Sequence, residues 1–294
     1  MRKGLWTIGS LSRREFVVRV WDKMTADRVW DSAAQLAYYF LLALFPLLIV
    51  LLSVVAMMPR PNLIATMRDA LADAMPEQAF ALLEGEMGRI MSSSTGSKLT
   101  LGMLATFWAA SSGVVSLMGT LDRIFCAREQ RGWLHMRATS IGLTIALLAL
   151  MVTGAILVTA GDSVAAYLAH TFHLALITRV YSLVINYILG VVILIFALEV
   201  ALYFGPDDET RGWHWITPGS VTGVLMFVAS SWGFSSYLRF HNSYSVTYGS
   251  IGAVIVLMLW LYLLGLSILV GAEVNSVIYQ ARGCKVEEPA LDCD

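Results

Sequence analysis

The side chains that could carry hydrolytic chemistry are few and lie far apart. Five histidines stand at positions 135, 170, 173, 214 and 241, and three cysteines at 126, 284 and 293. Only His170 and His173 are close in sequence, with Asp162 before them. A zinc site takes three or four ligands, and nothing completes this set. No phosphate-cradling glycine loop, nucleophile elbow or HExxH sequence is present, so ATP-driven transport within one chain and cytosolic hydrolysis both lack their usual groups. The sequence implies no cofactor and no enzyme.

The chemistry that remains belongs to polar side chains inside apolar runs. Ionisable groups there are costly and by default mark function. Glu199 is the leading one, an isolated carboxylate toward the inner end of a long apolar stretch. Asn186 lies 13 residues before it, about 20 Å along a helix and on a different face, so one site does not readily hold both. Asp31, Gln35 and Tyr38 share a helical face with Leu42. That stripe is either a helix contact or the wall of a cavity, and Pro46 should kink the helix that carries it. Ser112 and Ser116 share a face with Trp108 and Arg123, as small hydroxyls do where helices approach closely. Asn275 continues a stripe from Ser267 and Gly271, and Tyr244 and Tyr248 bring hydrogen-bonding rings to a turn over residues 239–249. Polar side chains in hydrocarbon should face protein or water, so these candidates are expected to converge on an interior space. Arg123, Arg128 and Arg131 cluster at its inner mouth, where they could hold an anionic head group. Two further charged groups, Asp122 and Glu273, read as interfacial and structural.

The elements that must position these residues are membrane helices. Mean hydropathy is +0.69 and only 14% of residues are charged, a composition that leaves no room for a soluble domain. Ser250 to Ala272 runs 23 residues without a charge, about 34 Å of helix against a hydrocarbon core of about 30 Å. The expected architecture is all-α, with six transmembrane helices over about 32–58, 99–121, 138–161, 179–204, 216–238 and 250–279. An outer amphipathic hairpin fills 59–98, either capping a cavity or passively covering the bundle. Residues 1–31 hold an amphipathic helix with no apolar leader segment. Ser12 and Glu15 stand at capping-box spacing, and Phe16, Val17, Val20, Trp21 and Met24 form its apolar face. This helix either lies on the membrane or packs under the bundle. The tail 280–294 reads as disordered. Thr217 suits an N-cap and Pro218 the first helical position; Gly219 and Gly223 form a helix-packing pair. Of 20 Lys and Arg, 14 fall on the side of both termini, which places that side in the cytoplasm. The cysteines then lie on the reducing side. A net charge of −1 advertises no nucleic-acid partner.

Three blocks carry a family likeness. Asp31 to Pro46 (DSAAQLAYYFLLALFP), Leu202 to Gly219 (LYFGPDDETRGWHWITPG) and Tyr244 to Asn275 (YSVTYGSIGAVIVLMLWLYLLGLSILVGAEVN) resemble, in order, the YihY/virulence-factor BrkB family of bacterial inner-membrane proteins. Some members have carried a ribonuclease label, for which this sequence shows no constellation of residues. The resemblance implies a cell-envelope role, and some relatives are linked to export of a lipopolysaccharide precursor. Membrane lipids and an amphiphilic envelope precursor are accordingly the expected partners. The leading expectation is a transporter or flippase-like conduit for a lipid or other amphiphile. The alternative is a non-transporting scaffold for envelope assembly, in which the polar stripes are helix glue. An ion or small-solute channel is weaker, for want of a ring of like charges.

Overall fold

The computed structural model describes residues 11–56, 68–69, 71–72, 75–92, 99–127, 129–172, 175–207, 212–240 and 243–281. Over them the chain is helical, with no strand among the described residues. The helices are α1 (Arg13–Ala26), α2 (Val29–Ala56), α3 (Glu77–Ser92), α4 (Leu99–Ile124), α5 (Trp133–Phe172), α6 (Ala175–Phe204), α7 (Pro218–Phe240) and α8 (Ser243–Ala281). Among the described residues four segments are long and apolar enough to cross a bilayer: Trp133–Gly154, Tyr187–Phe204, Pro218–Phe240 and Ile251–Ala281.

Helix starts follow local chemistry. Ser12 caps α1, its hydroxyl accepting the Glu15 N–H at 3.2 Å. Thr217 caps α7 just before Pro218. Its Oγ1 accepts the Ser220 N–H at 3.2 Å, and Ser220 Oγ accepts the Thr217 N–H at 3.1 Å, so two otherwise orphaned donors are satisfied reciprocally. Between α1 and α2 the chain turns through Arg28 at φ 51°, the left-handed geometry that commonly ends a helix.

Half of the apolar window of α8 is buried inside the protein, against 22–28% for the other three. It is the central helix, in contact with α7, α2, α3, α1 and α4. Toward its C-terminal end Leu266, Leu269 and Ala272 meet Leu36 of α2, Leu121 of α4 and Leu202 of α6. Toward its N-terminal end Val256, Leu257 and Trp260 meet Ala79 and Leu83 of α3. The Trp260 indole N–H donates to Ser231 Oγ at 3.0 Å. Small residues let α7 and α8 approach closely. A Cβ on Gly219 would stand 2.1 Å from the Gly271 carbonyl oxygen, and one on Gly223 would stand 2.8 Å from that of Ser267.

Several boundaries differ from the sequence expectation. The turn placed over 239–249 is helical from Ser243, and the loop placed over 162–178 is helical to Phe172 and again from Ala175. Alanine and leucine extend α5 through 164–169, and an isolated glycine such as Gly249 costs a helix only about 1 kcal/mol. At 40 and 39 residues, α5 and α8 are about 60 Å long, twice the hydrocarbon thickness. α5 also starts at Trp133, so Arg137 belongs to the helix. The helix α2 runs through Pro46. Of the expected hairpin, α3 is the second arm; most of the first arm, the linker over 93–98 and the tail beyond 281 lie outside the described residues. So does Arg128.

α1 divides its apolar face. Phe16 and Val20 pack against Val274 and Ile278 of α8 and Met24 is buried, while Val17, Trp21 and, beyond the turn, Trp30 stay exposed. The two indoles meet edge to face at 5.9 Å. The alternative in which the helix packs under the bundle thus describes its Phe16, Val20 and Met24 side.

Candidate functional site

α2 buries Ala33, Leu36 and Ala37, and Gly265 of α8 lets Ala33 and Leu36 come close. The opposite face must then point away from the bundle, and it carries the stripe Asp31, Gln35, Tyr38 and Leu42. Tyr38 and Leu42 are 52% and 50% exposed, and Asp31 and Gln35 are exposed as well. Among the described residues the stripe therefore neither packs against another helix nor walls an interior cavity, and the expectation that it faces inward is corrected. Its lower end opens into a polar recess of about 400 Å³ lined by Arg28, Asp31, Ser32, Gln35 and Arg123. Arg28 Nε donates to Asp31 Oδ2 at 2.9 Å. Arg123 of α4 donates to Ser32 Oγ at 3.3 Å and to Thr120 Oγ1 at 3.5 Å. Two guanidinium groups against one carboxylate leave the recess with an excess positive charge, suited to an anion.

The interior polar residues converge elsewhere. Glu199 of α6, 4% exposed, accepts a hydrogen bond from Thr217 Oγ1 at 2.5 Å. Asn275 Nδ2 donates to the same hydroxyl at 2.8 Å, and Asn275 Oδ1 accepts the Gly219 N–H at 2.8 Å. A carboxylate at the N-terminus of α7 also meets the positive end of that helix. The knot ties α6, α7 and α8 together, and the close approach of Gly219 to Gly271 and Asn275 leaves it closed. Glu199 and Asn275 thus meet, but not in a space shared with Gln35 and Tyr38. Asn186, Tyr244, Tyr248 and Pro46 lie in helices, with side chains outside the described residues. Ser112 Oγ donates to the Trp108 carbonyl at 3.2 Å, and Ser116 Oγ is buried without a partner.

Two ion clusters hold the end of the bundle that carries α1. Lys23 pairs with Asp27, stands 3.2 Å from Glu273 Oε2 and donates to the Ile124 carbonyl at 2.7 Å. Burial pulls the ammonium pKa down, but Glu273 and Asp27 outweigh it and hold the group above the ordinary lysine value. In the second cluster Arg131, assigned from the sequence to head-group binding, is engaged by acids. It bonds Glu129 at 2.9 Å and stands 3.7 Å from Asp122 and 3.5 Å from Asp207. The hydrogen bond from Arg131 holds the Glu129 carboxyl below its usual range, and burial of Arg131 is outweighed by its three acids, which raise it.

Asp122 lies one residue beyond the 99–121 span. Burial pushes its carboxyl up to about 7; the Asp207 N–H pulls against this, Glu129 adds to it, and Arg131 opposes it. The folded protein therefore binds this proton more tightly than the unfolded chain, where the value is 3.8. Stability should fall as pH rises from about 4 to about 7. The midpoint of thermal unfolding should drop across that window, and Asp122→Asn should flatten the slope; a slope of opposite sign, or one unchanged in the variant, refutes the assignment.

The clusters show what a linear reading cannot supply. Lys23 looks like one of several surface cations of an amphipathic helix, and Glu273 like an interfacial anchor. Only the packing of α1 on α8 turns them into a pair with Glu273 fully buried. Among the described residues no group of three or more His, Cys, Asp or Glu is placed to hold a metal ion. An apolar groove of about 460 Å³ lies between α5 and α6, lined by Ala149, Leu150, Phe196 and Trp213 among others.

A sequence profile described as virulence factor BrkB matches residues 20–291. The chain is 30% identical to a putative ribonuclease-like protein, YfkH, of Bacillus subtilis over 93% of its own length and 98% of the relative's. It is 27% identical to a UPF0761 membrane protein of Vibrio campbellii over 92% and 83% of the two chains. Against one from Vibrio atlanticus it is 30% identical over 87% and 80%. No solved structure matches.

Proposed function

The chain belongs to the virulence factor BrkB family, whose UPF0761 relatives are membrane proteins, and on that premise we propose a flippase-like conduit for an anionic amphiphile of the cell envelope. The head group passes along the outward polar face of α2, beside Arg123 at the end of α4, while the acyl chains stay in the surrounding lipid. The protein lies in the bacterial inner membrane with both termini in the cytoplasm. α2 and α4 join the four apolar segments to give six crossings, and α3 covers the outer side. It performs no hydrolysis.

The observation that carries this reading is the recess of Arg28, Asp31, Ser32, Gln35 and Arg123, opening onto an exposed stripe that continues to Tyr38. Polar groups left facing hydrocarbon are costly, and a passing head group with its water would compensate them. Arg123 is the entry contact and Gln35 the next hydrogen-bonding station. A second reading rests on the closed knot around Glu199: with no interior path, the exposed stripe of α2 would instead seat a second copy, in a scaffold that moves nothing. Purified full-length protein in liposomes with a trace of fluorescent phosphatidylglycerol in both leaflets separates the two. The conduit predicts that dithionite bleaches well beyond the outer-leaflet half within minutes. Bleaching no faster than in protein-free vesicles rejects it.

A further inference from the structure

Arg137 sits one turn into α5, and its side chain reaches the middle of α4. Nη2 donates to the Trp108 carbonyl at 2.5 Å and Nη1 to Ser112 Oγ at 3.3 Å. The guanidinium carbon lies 3.8 Å from the centre of the Trp108 ring. Trp108 and Ser112 precede the end of α4 at Ile124 by about 24 and 18 Å of helix axis, so the charge stands in the middle third of that helix. Arg137 is 9% exposed, its Nε has no hydrogen-bond partner, and among the described residues no carboxylate pairs with it. Among the guanidinium groups with resolved partners at this end, Arg19, Arg28 and Arg131 are each matched by acids, whereas Arg123 is held by two hydroxyls and Arg137 by a carbonyl and a hydroxyl.

A guanidinium has five donors in a planar fork and cannot shed its charge. One carbonyl, one hydroxyl and one indole face leave it neither neutralised nor fully bonded. In a bilayer such a group calls for an anion, and the fork fits phosphate oxygens. The surroundings fit what hangs from a lipid phosphate. Trp108, which covers the guanidinium, is half-exposed, and beside it stand Trp133 and Leu134, 69% and 73% exposed. Trp108, Ser112, Ser116 and Thr120 recur every four residues on α4, with Arg123 following. All five fall within about 120° of the helix circumference. The unpartnered hydroxyl of Ser116 lies between the two arginines on this face.

The geometry points to Arg137, with Ser112, as a binding site for the phosphate of a lipid head group, deep in the α4–α5 pair and about 17 Å along α4 from Arg123 near its end. It rests on the conduit reading and gives it a substrate class: a phosphate-bearing amphiphile, handed from Arg123 to Arg137. The indole of Trp108 covers the station when it is empty.

Binding is measured separately from movement. Full-length protein released from nanodiscs containing phosphatidylglycerol and chain-matched diacylglycerol is weighed by native mass spectrometry, with and without inorganic phosphate. Wild type should retain phosphatidylglycerol in preference to diacylglycerol. Arg137→Gln should lower that retention roughly tenfold, and Arg137→Lys, a point charge without the fork, should restore part of it. Displacement by millimolar inorganic phosphate would make the ligand the free anion rather than the lipid and overturns the head-group assignment. Equal retention in wild type and Arg137→Gln overturns the site, leaving Arg137 as a tie between α4 and α5. Should Arg137→Gln not fold, Ser112→Ala and Trp108→Phe carry the same comparison. Lipid movement that continues in an Arg137→Gln protein refutes the site but not the conduit. Arg137-dependent retention with no movement refutes the conduit but not the site.

Discussion

Lys23→Met should destabilise the folded protein by about 3–5 kcal/mol, the usual cost of removing one partner of a buried ion pair. Glu273 is fully buried on the central helix, and neither of its oxygens has a hydrogen-bond partner apart from the Lys23 ammonium 3.2 Å away. Methionine fills much of the space of the lysine stem but leaves the carboxylate with no positive charge, so the protein must hold a bare anion or protonate it. The same ammonium caps the Ile124 carbonyl at the end of α4, so three helices loosen together. Replacing both members, Lys23→Met with Glu273→Leu, should recover most of the loss, since an apolar pair of similar volume is often as stable as the ions. Thermal unfolding in detergent, followed by helix content, reads both. A double variant no more stable than Lys23→Met would mean that the pair is not the source of the effect.

Gly219→Ala should be nearly as severe, about 3 kcal/mol or more. The added Cβ would stand 2.1 Å from the Gly271 carbonyl oxygen and 2.5 Å from the Asn275 amide. The first is backbone and cannot rotate aside. Relief requires α7 and α8 to separate, which also stretches the Asn275 to Gly219 hydrogen bond and the tie to Glu199. Gly233→Ala, on the same helix with nothing within 4 Å of its Cβ, should instead be neutral or stabilise by up to about 1 kcal/mol through helix propensity. Equal effects at the two positions, measured by the same unfolding assay, would contradict the packing of these helices.

What could be read beforehand follows the range of each signal. The caps at Ser12 and Thr217 and the glycine pair at 219 and 223 depend on a few adjacent residues, and all three stand as expected. The helical period grouped Asp31, Gln35, Tyr38 and Leu42 correctly. It could not say which way that face points, because the answer depends on Gly265 of α8 admitting Ala33 and Leu36 from more than 200 residues away in sequence. Glu199 and Asn275 were both visible as polar groups in apolar runs, but Thr217, which joins them, reads only as a helix cap. Arg137 was hidden by a boundary: with the span started at 138, it became one more loop arginine, though four residues of α5 precede it. Glycine and tyrosine density near 244–249 reads as a turn, whereas α8 is helical from Ser243, since isolated glycines cost a helix little.

The proposed route runs on the outside of α2 beside Arg123, and the interior around Glu199 is closed by the approach of Gly219 to Gly271 and Asn275. Gln35→Leu and Glu199→Gln, compared in the liposome assay, separate these locations most directly. Gln35→Leu removes a hydrogen-bonding station from the exposed stripe and should slow phosphatidylglycerol movement about tenfold, which corresponds to about 1.4 kcal/mol in the barrier. Glu199→Gln keeps the Thr217 hydrogen bond and should leave the rate at the wild-type value. If Glu199→Gln stops movement while Gln35→Leu does not, the path runs through the interior and the outward route is wrong.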